Sequence, residues 1–527
     1  MINVREAQVR DVGAIRDIFR ACYGDDYPYL QFYDPERLTR IVYNDSQLLL
    51  VAEDTETGRT VGTASVMLEI GAFSDLVGEF GRLAVFPDAR QAGIGRQLMA
   101  ARLERVRHRL HVGLVDARIA HPFSCRIAEA HGFAPVGLLP LKMRIGERES
   151  TCLLAQYFGE ALSLRRNHPR VIPEVYPLAQ LALEHCGLRC DTVVDEDSSA
   201  YHGGDGLAAH EMTTDGYATL LRIERGRVRH REIFGPLRLH YGLFKLHAEH
   251  SHYLLATDHD RIVGAVGWHE DTMDRTIRIF ELIALADGVA RFLLTALEKK
   301  CRDDGQVSVA EVDVSAYAPQ MQRTLLELGF LPAAYVPAMV FSEVERLDIV
   351  KMIKLFVPPQ FASVELSPRA QAVADLVLKP FQSQRVLPEI ERAMGDLPLF
   401  SGLDPEQVRR VAGACQVAAF EAGQRILEEG AIDSTFYIVL RGEVEIRRRG
   451  SSHAVGVVRA GECLGEISLL TAHAHTASAV TTQPTQAAVL SHGELTDLIR
   501  FRPDIGLTIY RNLAIGLGAK LSRVPID

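Results

Sequence analysis

The chain has 527 residues, 47% of them hydrophobic and 24% charged, with a formal net charge of −10 at pH 7. That length buries several cores and predicts two to four domains, and the acidic balance excludes a broad, sequence-independent grip on nucleic acid. No apolar run reaches membrane-spanning length and no signal peptide is evident, so a cytoplasmic chain that engages neither membrane nor nucleic acid is expected.

Residues 1–145 alternate strand and helix signals. Val4–Gln8 reads as a strand, and Asp11 is placed to N-cap a helix through Cys22, with Val12, Ile15, Ile18 and Phe19 at helical spacing. Leu48–Glu53 and Val61–Leu68 flank the turn Asp54–Gly58 as a hairpin. A strand over 79–86 then turns at Pro87 into Arg90-Gln91-Ala92-Gly93-Ile94-Gly95, which opens a helix, Arg96–Arg109. Gly93 and Gly95 let backbone N–H groups approach an anion, and the helix N-terminus adds its partial positive charge, a geometry suited to pyrophosphate. A strand at Val112–Ala117, a helix at Ser124–Ala130 and a closing strand after Gly132-Phe133 follow.

Residues 146–235 read as a connector, with helices at Leu153–Leu164 and Val175–Leu188 and a hairpin made by Tyr217–Ile223 and Val228–Glu232. Residues 236–345 repeat the opening theme: a hairpin of Tyr253–Thr257 and Ile262–Trp268, a strand at Ile277–Leu285, a helix at Val289–Cys301, a strand at Val309–Val314, and Gly329-Phe330. Residues 346–395 read as a linker broken at Pro358-Pro359 and Ser367-Pro368. Within 396–527, short strands with glycine turns run from Phe420 to Leu490, and a helical tail spans Gly493–Leu521.

The eight cysteines are scattered without a CxxC pair, which points to a reducing compartment and to no metal site. Cys186 and Cys190 beside His185, and His247, His250 and His252, read as structural or solvated rather than as ligands.

The order Leu83-x-Val85, Pro87, Arg90-Gln91-x-Gly93-x-Gly95, helix resembles the acyl-CoA-binding signature of the GNAT acetyltransferase superfamily. Glu129-Ala130-His131-Gly132-Phe133 resembles that family's Glu-x-x-Gly-Phe. The resemblance implies acetyl-CoA or another acyl-CoA as cosubstrate. Its pyrophosphate would rest on Arg90, Gln91, Ala92, Gly93, Ile94, Gly95 and Arg96, and its pantetheine arm would pair with Leu83, Ala84 and Val85. Glu79, placed by strand parity on the face of residues 81, 83 and 85, matches the base glutamate of histone-type members. The family's general-acid tyrosine falls on Ala128, leaving Ser124 and His131 on the same helical face as candidate acids; the family's asparagine is His121. In the later copy the loop is Ala284-Leu285-Ala286-Asp287-Gly288, with one glycine, no arginine and a carboxylate of the wrong sign. A GNAT-like copy that binds no acyl-CoA is expected there, packing against the first or shaping its acceptor site.

Phe420-x-x-Gly423-x-x-Ile426 with Glu429-Gly430, Phe436–Leu440 with Gly442, and Leu464–Leu470 together resemble a cyclic-nucleotide-binding domain. That resemblance implies a phosphate cassette of Gly465, Glu466, Ile467 and Ser468, with Glu466 on the ribose 2′-hydroxyl. The family's Pro-Arg-x-Ala reads Ala474-His475-Thr476-Ala477 here. Histidine makes no bidentate fork, and losing one charge-assisted contact weakens binding by roughly 10–150-fold, which disfavours a cyclic nucleotide as ligand. The end at Asp527 leaves no room for the helix-turn-helix of transcription factors with such domains.

The expected architecture is α/β plus all-β: two GNAT-like α/β domains followed by a cyclic-nucleotide-binding-type β-barrel with a helical tail. The expected function is N-acyl transfer from acyl-CoA to an amine, a protein lysine or a small amine, with a C-terminal regulatory or docking domain. The parts are similar to those of bacterial cyclic-nucleotide-gated protein lysine acetyltransferases, in reversed order. The alternative is a non-enzymatic acyl-CoA or cyclic-nucleotide sensor or scaffold.

Overall fold

The computed structural model describes residues 1–68, 75–212, 231–235, 251–361, 366–395, 397–431, 435–449, 454, 456–465 and 474–521. Its contacts divide the chain into two compact units, Met1–Leu378 and Lys379–Asp527.

The first unit opens with β1 (Ile2–Glu6), α1 (Val12–Tyr23), α2 (Pro35–Val42), β2 (Gln47–Asp54), β3 (Thr60–Met67) and β4 (Val77–Val85). It continues with α3 (Ile94–Val106), β5 (Val112–Arg118), α4 (Phe123–Ala130), β6 (Ala134–Ile145) and β7 (Glu147–Tyr157). Local chemistry sets several boundaries. The Asp34 carboxylate accepts from the Glu36 and Arg37 amides and Pro35 takes the first position of α2, while Gly93 caps α3 in the left-handed region (φ 73°). On one face of the sheet α1 and α2 bury Ile15, Phe19 and Leu38 against Leu49, Val51 and Ala84. On the other, Ile94 and Leu98 of α3 pack on Leu50, Ala52 and Ala64.

Next come β8 (Arg170–Val171), α5 (Tyr176–His185), β9 (Val193–Val194), β10 (Leu207–Glu211), β11 (Ile233–Phe234), β12 (Ser251–Asp258), β13 (Arg261–Asp271) and β14 (Thr276–Ala284). They are followed by α6 (Asp287–Asp304), β15 (Val309–Ser315), α7 (Pro319–Glu327), β16 (Leu331–Ser342) and β17 (Glu345–Leu355). The main sheet is continuous, in the order β1-β2-β3-β4-β5-β7-β6-β16-β17-β15-β14-β13-β12-β10, with β11 added on β15. Its second half therefore repeats the first strand for strand in reverse, and the two halves meet where Gly137 of β6 pairs with Ala334 of β16. These positions correspond: β6 and β16 begin at 134 and 331, and Leu141 and Ala338 on them share an unusual left-handed backbone (φ 51° and 48°). A β-carbon at 137 would lie 2.1 Å from that of Ala334, so only one methyl fits at the junction.

Three sequence expectations are corrected in this unit. Leu153–Leu164 does not begin a helix: Cys152–Ala155 lie in β7, almost fully buried between β5 and β6. A short apolar run buried on both faces carries no period to separate strand from helix. The first α/β half thus runs past residue 145 to Tyr157. Leu347–Leu355, counted as linker, is β17, and Pro368–Gly395 is a helix, α8. The expected hairpin at 217–232 falls almost wholly outside the described residues, as do His247 and His250.

The second unit holds α9 (Pro405–Ala414), β18 (Gln416–Phe420), β19 (Arg425–Leu427), β20 (Thr435–Arg441), β21 (Glu443–Arg447) and β22 (Gly456–Arg459). It ends with β23 (Cys463–Leu464), β24 (Ser478–Thr481), β25 (Thr485–Ser491), α10 (His492–Phe501) and α11 (Pro503–Leu521). The strands form two four-stranded antiparallel sheets, β18-β25-β20-β23 and β19-β24-β21-β22. The expected closed barrel is not found, since no pairing among the described residues joins the two sheets. Phe400, Val411, Phe436, Leu490, Leu495 and Ile505 form one core that takes in the flanking helices.

Candidate functional site

The parallel strands β4 and β5 pair only at Val77–Val112, Gly78–Gly113 and Glu79–Leu114. Beyond that point β4 runs on to Val85 and β5 to Arg118 without bonding to each other, so a wedge opens immediately after Glu79. Its far rim is the loop before α3. There Gln91 and Gly93 are left-handed (φ 69° and 73°), Arg90 to Gly93 are exposed, and no atom lies within 4 Å of where a β-carbon on Gly93 would stand. The first-turn amides of α3 point out of the helix toward this open cradle. Gly95 serves packing instead: a β-carbon there would lie 3.0 Å from Ile127 of α4. Arg90 folds back, its Nε donating to the Val85 carbonyl at 3.3 Å.

A bulge rearranges the strand. Arg82 adopts φ 54° and the pairing with β3 slips between Thr63–Ala84 and Ser65–Gly81. Glu79, Gly81 and Ala84 therefore share the α1/α2 face, whereas Leu83 and Val85 turn to α3, which corrects the expected common face of 79, 83 and 85. The fully buried Arg102 pins the bulge by donating to the Ser65 and Gly81 carbonyls, both at 3.1 Å. Burial without a carboxylate partner pulls that guanidinium down to about 9.

Glu79 is half-buried, 3.2 Å from Arg82 Nη1. The Arg82 guanidinium stands 5.2 Å from the centre of the Tyr29 ring, and burial, then the Glu79 charge, holds the Tyr29 phenol well above its ordinary range. At the open end of β5, Arg118 is bound to Glu149 at 2.7 Å. Half-buried His121 is lowered by burial and by Arg118, so it stays neutral, and its buried Nδ1 meets no hydrogen-bond partner among the described residues. Ser124 is in the first turn of α4 near this end. His131 sits at the helix's other end, about 10 Å along the axis at 1.5 Å per residue, with Nδ1 2.8 Å from the Ile127 carbonyl. Ala128 is wholly buried. The structure thus brings Glu79 and the Arg90–Gly95 loop to one wedge and separates His131 from it.

Ion pairs continue across the junction on the same face: Asp116–Lys142 at 2.6 Å, Lys142–Glu311 at 3.8 Å, Glu311–Lys351 at 3.7 Å, Lys351–Asp313 at 2.5 Å and Asp313–Arg278 at 2.6 Å. Burial opposes the Lys142 ammonium, but Asp116 and Glu311 override it and hold it above the usual lysine range.

In the second half the matching wedge is filled by the chain itself. β14 and β15 pair from Thr276–Val309 to Ile279–Val312, and β11 then continues the edge of β15, Phe234 opposite Asp313 and Ile233 opposite Val314. Gly235 presses on Phe280 of β14, where a β-carbon would come within 2.3 Å. Beside this plug lies a cavity of about 630 Å³ lined by Tyr201, Arg231, Glu232, Asp287, Ser315 and Tyr317 among others. Its Asp287 stands in the first turn of α6, where the first half presents glycine and open amides.

In the second unit Gly465 (φ 82°) follows β23. His475 is buried, its amide donating to the Ala431 carbonyl at 3.0 Å and its carbonyl accepting from Gly430 at 2.9 Å. Thr476 is exposed. Glu466, Ile467 and Ser468 lie outside the described residues.

Residues 45–134 match the family model of the acetyltransferase (GNAT) domain, and residues 417–500 match that of the cyclic nucleotide-binding domain. The chain carries a GNAT domain and a cyclic nucleotide-binding domain. Among curated relatives, the cyclic AMP receptor protein of Thermus thermophilus is 30% identical over 133 residues, 25% of this chain and 60% of its own. The cAMP-dependent protein kinase regulatory subunit of Schizosaccharomyces pombe is 30% identical over 95 residues, 18% of this chain and 22% of its own. The chain therefore spans between about a fifth and three fifths of these two relatives. Among solved structures, a GNAT superfamily phosphinothricin acetyltransferase from Sinorhizobium meliloti, in complex with AcCoA, is 22% identical, covering 30% of this chain and 89% of its own, with a TM-score of 0.27. A cyclic nucleotide-binding domain from Methylobacillus flagellatus is 27% identical, covering 27% and 80%, with a TM-score of 0.25.

Sequence reasoning missed several side chains around the GNAT wedge: Tyr23, Tyr27 and Tyr29 above it, and Arg82, Arg118 and Glu149 within it. One signal was available, since residues 23–33, from the last residue of α1 to the approach to α2, carry four tyrosines. Away from the wedge, His185 Nδ1 lies 2.8 Å from the Pro135 carbonyl and burial pushes the Cys186 thiol up to about 12. Among the described residues no cluster of three or more His, Cys, Asp or Glu is arranged to hold a metal ion, and no helix is long and apolar enough to cross a membrane.

Proposed function

We propose that the GNAT domain moves an acetyl or other short acyl group from acyl-CoA to an amine, a protein lysine or a small amine, by direct attack in a ternary complex. The observation that carries this reading is the wedge between β4 and β5, which begins at Glu79 and ends at the exposed, glycine-lined N-terminus of α3. The left-handed backbone and the vacant space at Gly93 fit a diphosphate, which supplies the anchor that holds a thioester in the wedge. Glu79, at the closed end, takes the proton that the attacking amine must lose. Arg82 positions its carboxylate. The cyclic nucleotide-binding domain regulates or docks, and the reducing compartment suited to acyl-CoA and to free cysteines is the cytoplasm.

The test is thiol release from acetyl-CoA by the full chain with poly-L-lysine, spermidine and free amino acids as acceptors, alongside calorimetry with acetyl-CoA. Glu79→Gln is expected to lower turnover by about 10²–10⁴-fold and to leave acetyl-CoA affinity unchanged; unchanged turnover removes Glu79 from the mechanism. The buried Ala128, which puts no acid at the position of the family's tyrosine on α4, favours a second reading in which acyl-CoA is bound and sensed without turnover. Binding heat without thiol release for any acceptor would establish that reading instead. For the second unit, His475→Arg is expected to raise cyclic AMP affinity by roughly 10–150-fold by restoring a charge-assisted contact, measured by calorimetry.

A further inference from the structure

A thiolate leaving an acyl carbon needs a proton, and α4 does not supply one from position 128. The opposite wall of the wedge is built from α1 and the segment after it, and it presents a row of three tyrosines. The Tyr23 and Tyr27 rings stack with centroids 4.8 Å apart, and Tyr27 meets Tyr29 edge-on at 5.4 Å.

The ends of the row face different chemistry. Tyr29 adjoins Arg82 and Glu79, at the closed end of the wedge. Tyr23 adjoins Arg118, whose guanidinium lies 5.6 Å from its ring centre. Beside it, Cys22 donates from Sγ to the carbonyl of Val85, the last residue of β4, at 3.3 Å. Arg90, the head of the anion loop, lies 3.5 Å from that sulfur. The row therefore runs from the base to the diphosphate end. A thioester anchored on the α3 loop has its sulfur on the loop side of the acyl carbon and its attacking amine on the Glu79 side.

We infer that the Tyr23 hydroxyl donates the proton to the departing CoA thiolate, performing from α1 the task that Ala128 of α4 does not perform. This rests on the acyl-transfer reading above. In the step, the amine nitrogen bonds to the acyl carbon and its proton passes to Glu79. The C–S bond breaks with its electron pair going to sulfur, and the Tyr23 O–H proton passes to that sulfur. The phenolate left behind is stabilised by Arg118, itself held by Glu149, and recovers its proton from water. The titratable and charged groups facing Tyr23 are Arg118, Cys22, Arg90 and the stacked Tyr27, with His121 and Glu149 on the far side of Arg118. Burial raises the Tyr23 phenol against the pull of Arg118, so the group stays protonated through neutral pH.

The experiment compares thiol release by full-length protein and Tyr23→Phe, which keeps the ring and its stacking, with acetyl-CoA and either poly-L-lysine or spermidine. Expected is a fall in kcat of about 10²–10⁴-fold at unchanged calorimetric affinity for acetyl-CoA. Site-specific 3-fluorotyrosine at position 23, a more acidic phenol in the same shape, is expected to bring a falling basic limb to lower pH; a residue that only packs would move neither readout. An unaltered kcat in Tyr23→Phe, or an unmoved limb with fluorotyrosine, overturns the inference while acyl transfer stands. No thiol release from the unsubstituted protein with any amine overturns acyl transfer and this step with it.

Discussion

The two halves of the first unit share strand order, strand direction and matching backbone anomalies, yet one wedge is open and the other is closed. In the first half no described strand pairs with the facing edges of β4 and β5 beyond Glu79; in the second, Ile233 and Phe234 occupy the same place on β15. The comparison teaches that a sheet topology supplies a cleft but not its occupant. Two residues of chain, together with the exchange of an exposed glycine cradle for Asp287, separate an open wedge from a filled one.

That contrast can be broken. Phe234→Ala is expected to remove a buried ring that closes the second wedge and to cost about 3–5 kcal/mol of stability, measured by urea unfolding, with acetyl-CoA affinity in the first half unchanged. A loss under about 1 kcal/mol, or a parallel loss of acetyl-CoA binding, would show that the plug is not what holds the second half. Gly93→Asp, which introduces into the first half the charge that the second carries at 287, is expected to weaken acetyl-CoA binding at least about 100-fold, read by calorimetry. Equal affinity would remove the cradle from the binding site.

The smallest effect concerns the ion pairs inside the second half. Burial raises the Asp313 carboxyl, but the Lys351 ammonium and the Arg278 guanidinium override it and hold it at about 2. A carboxyl lowered in the folded state from its usual value of about 3.9 contributes stability that is complete above that value. The contribution is lost as pH falls toward the folded value. Asp313→Asn is therefore expected to flatten the acid limb of the stability curve between about pH 4 and about pH 2, checked by urea midpoints across that range. A limb of unchanged slope would place the acid sensitivity elsewhere.

How much of this was legible depends on whether the signal is local. The loop from Pro87 to Gly95 was readable because glycine and proline act through their own backbone, and α3 follows directly in sequence. Glu79 was found by counting along a strand, but its face was not, because the bulge at Arg82 exists only through pairing with β3 and the grip of Arg102. The strand β7 was missed because its apolar run is buried on both faces and has no alternation to betray it. The tyrosine row was visible as composition and invisible as a site, since α1 reaches the wedge only after the sheet has formed.

Sequence alone determined most elements of the first half through α4, the glycine loop before α3 and the likeness of both domains to known families, all of which rest on short-range backbone preference and on periodic burial. Tertiary structure decided which wedge stays open, which tyrosine stands at which end of it, and that the two halves join edge to edge through Gly137 and Ala334. Those outcomes depend on partners tens to hundreds of positions apart, which meet only when the sheet is assembled, and no local pattern records such a meeting.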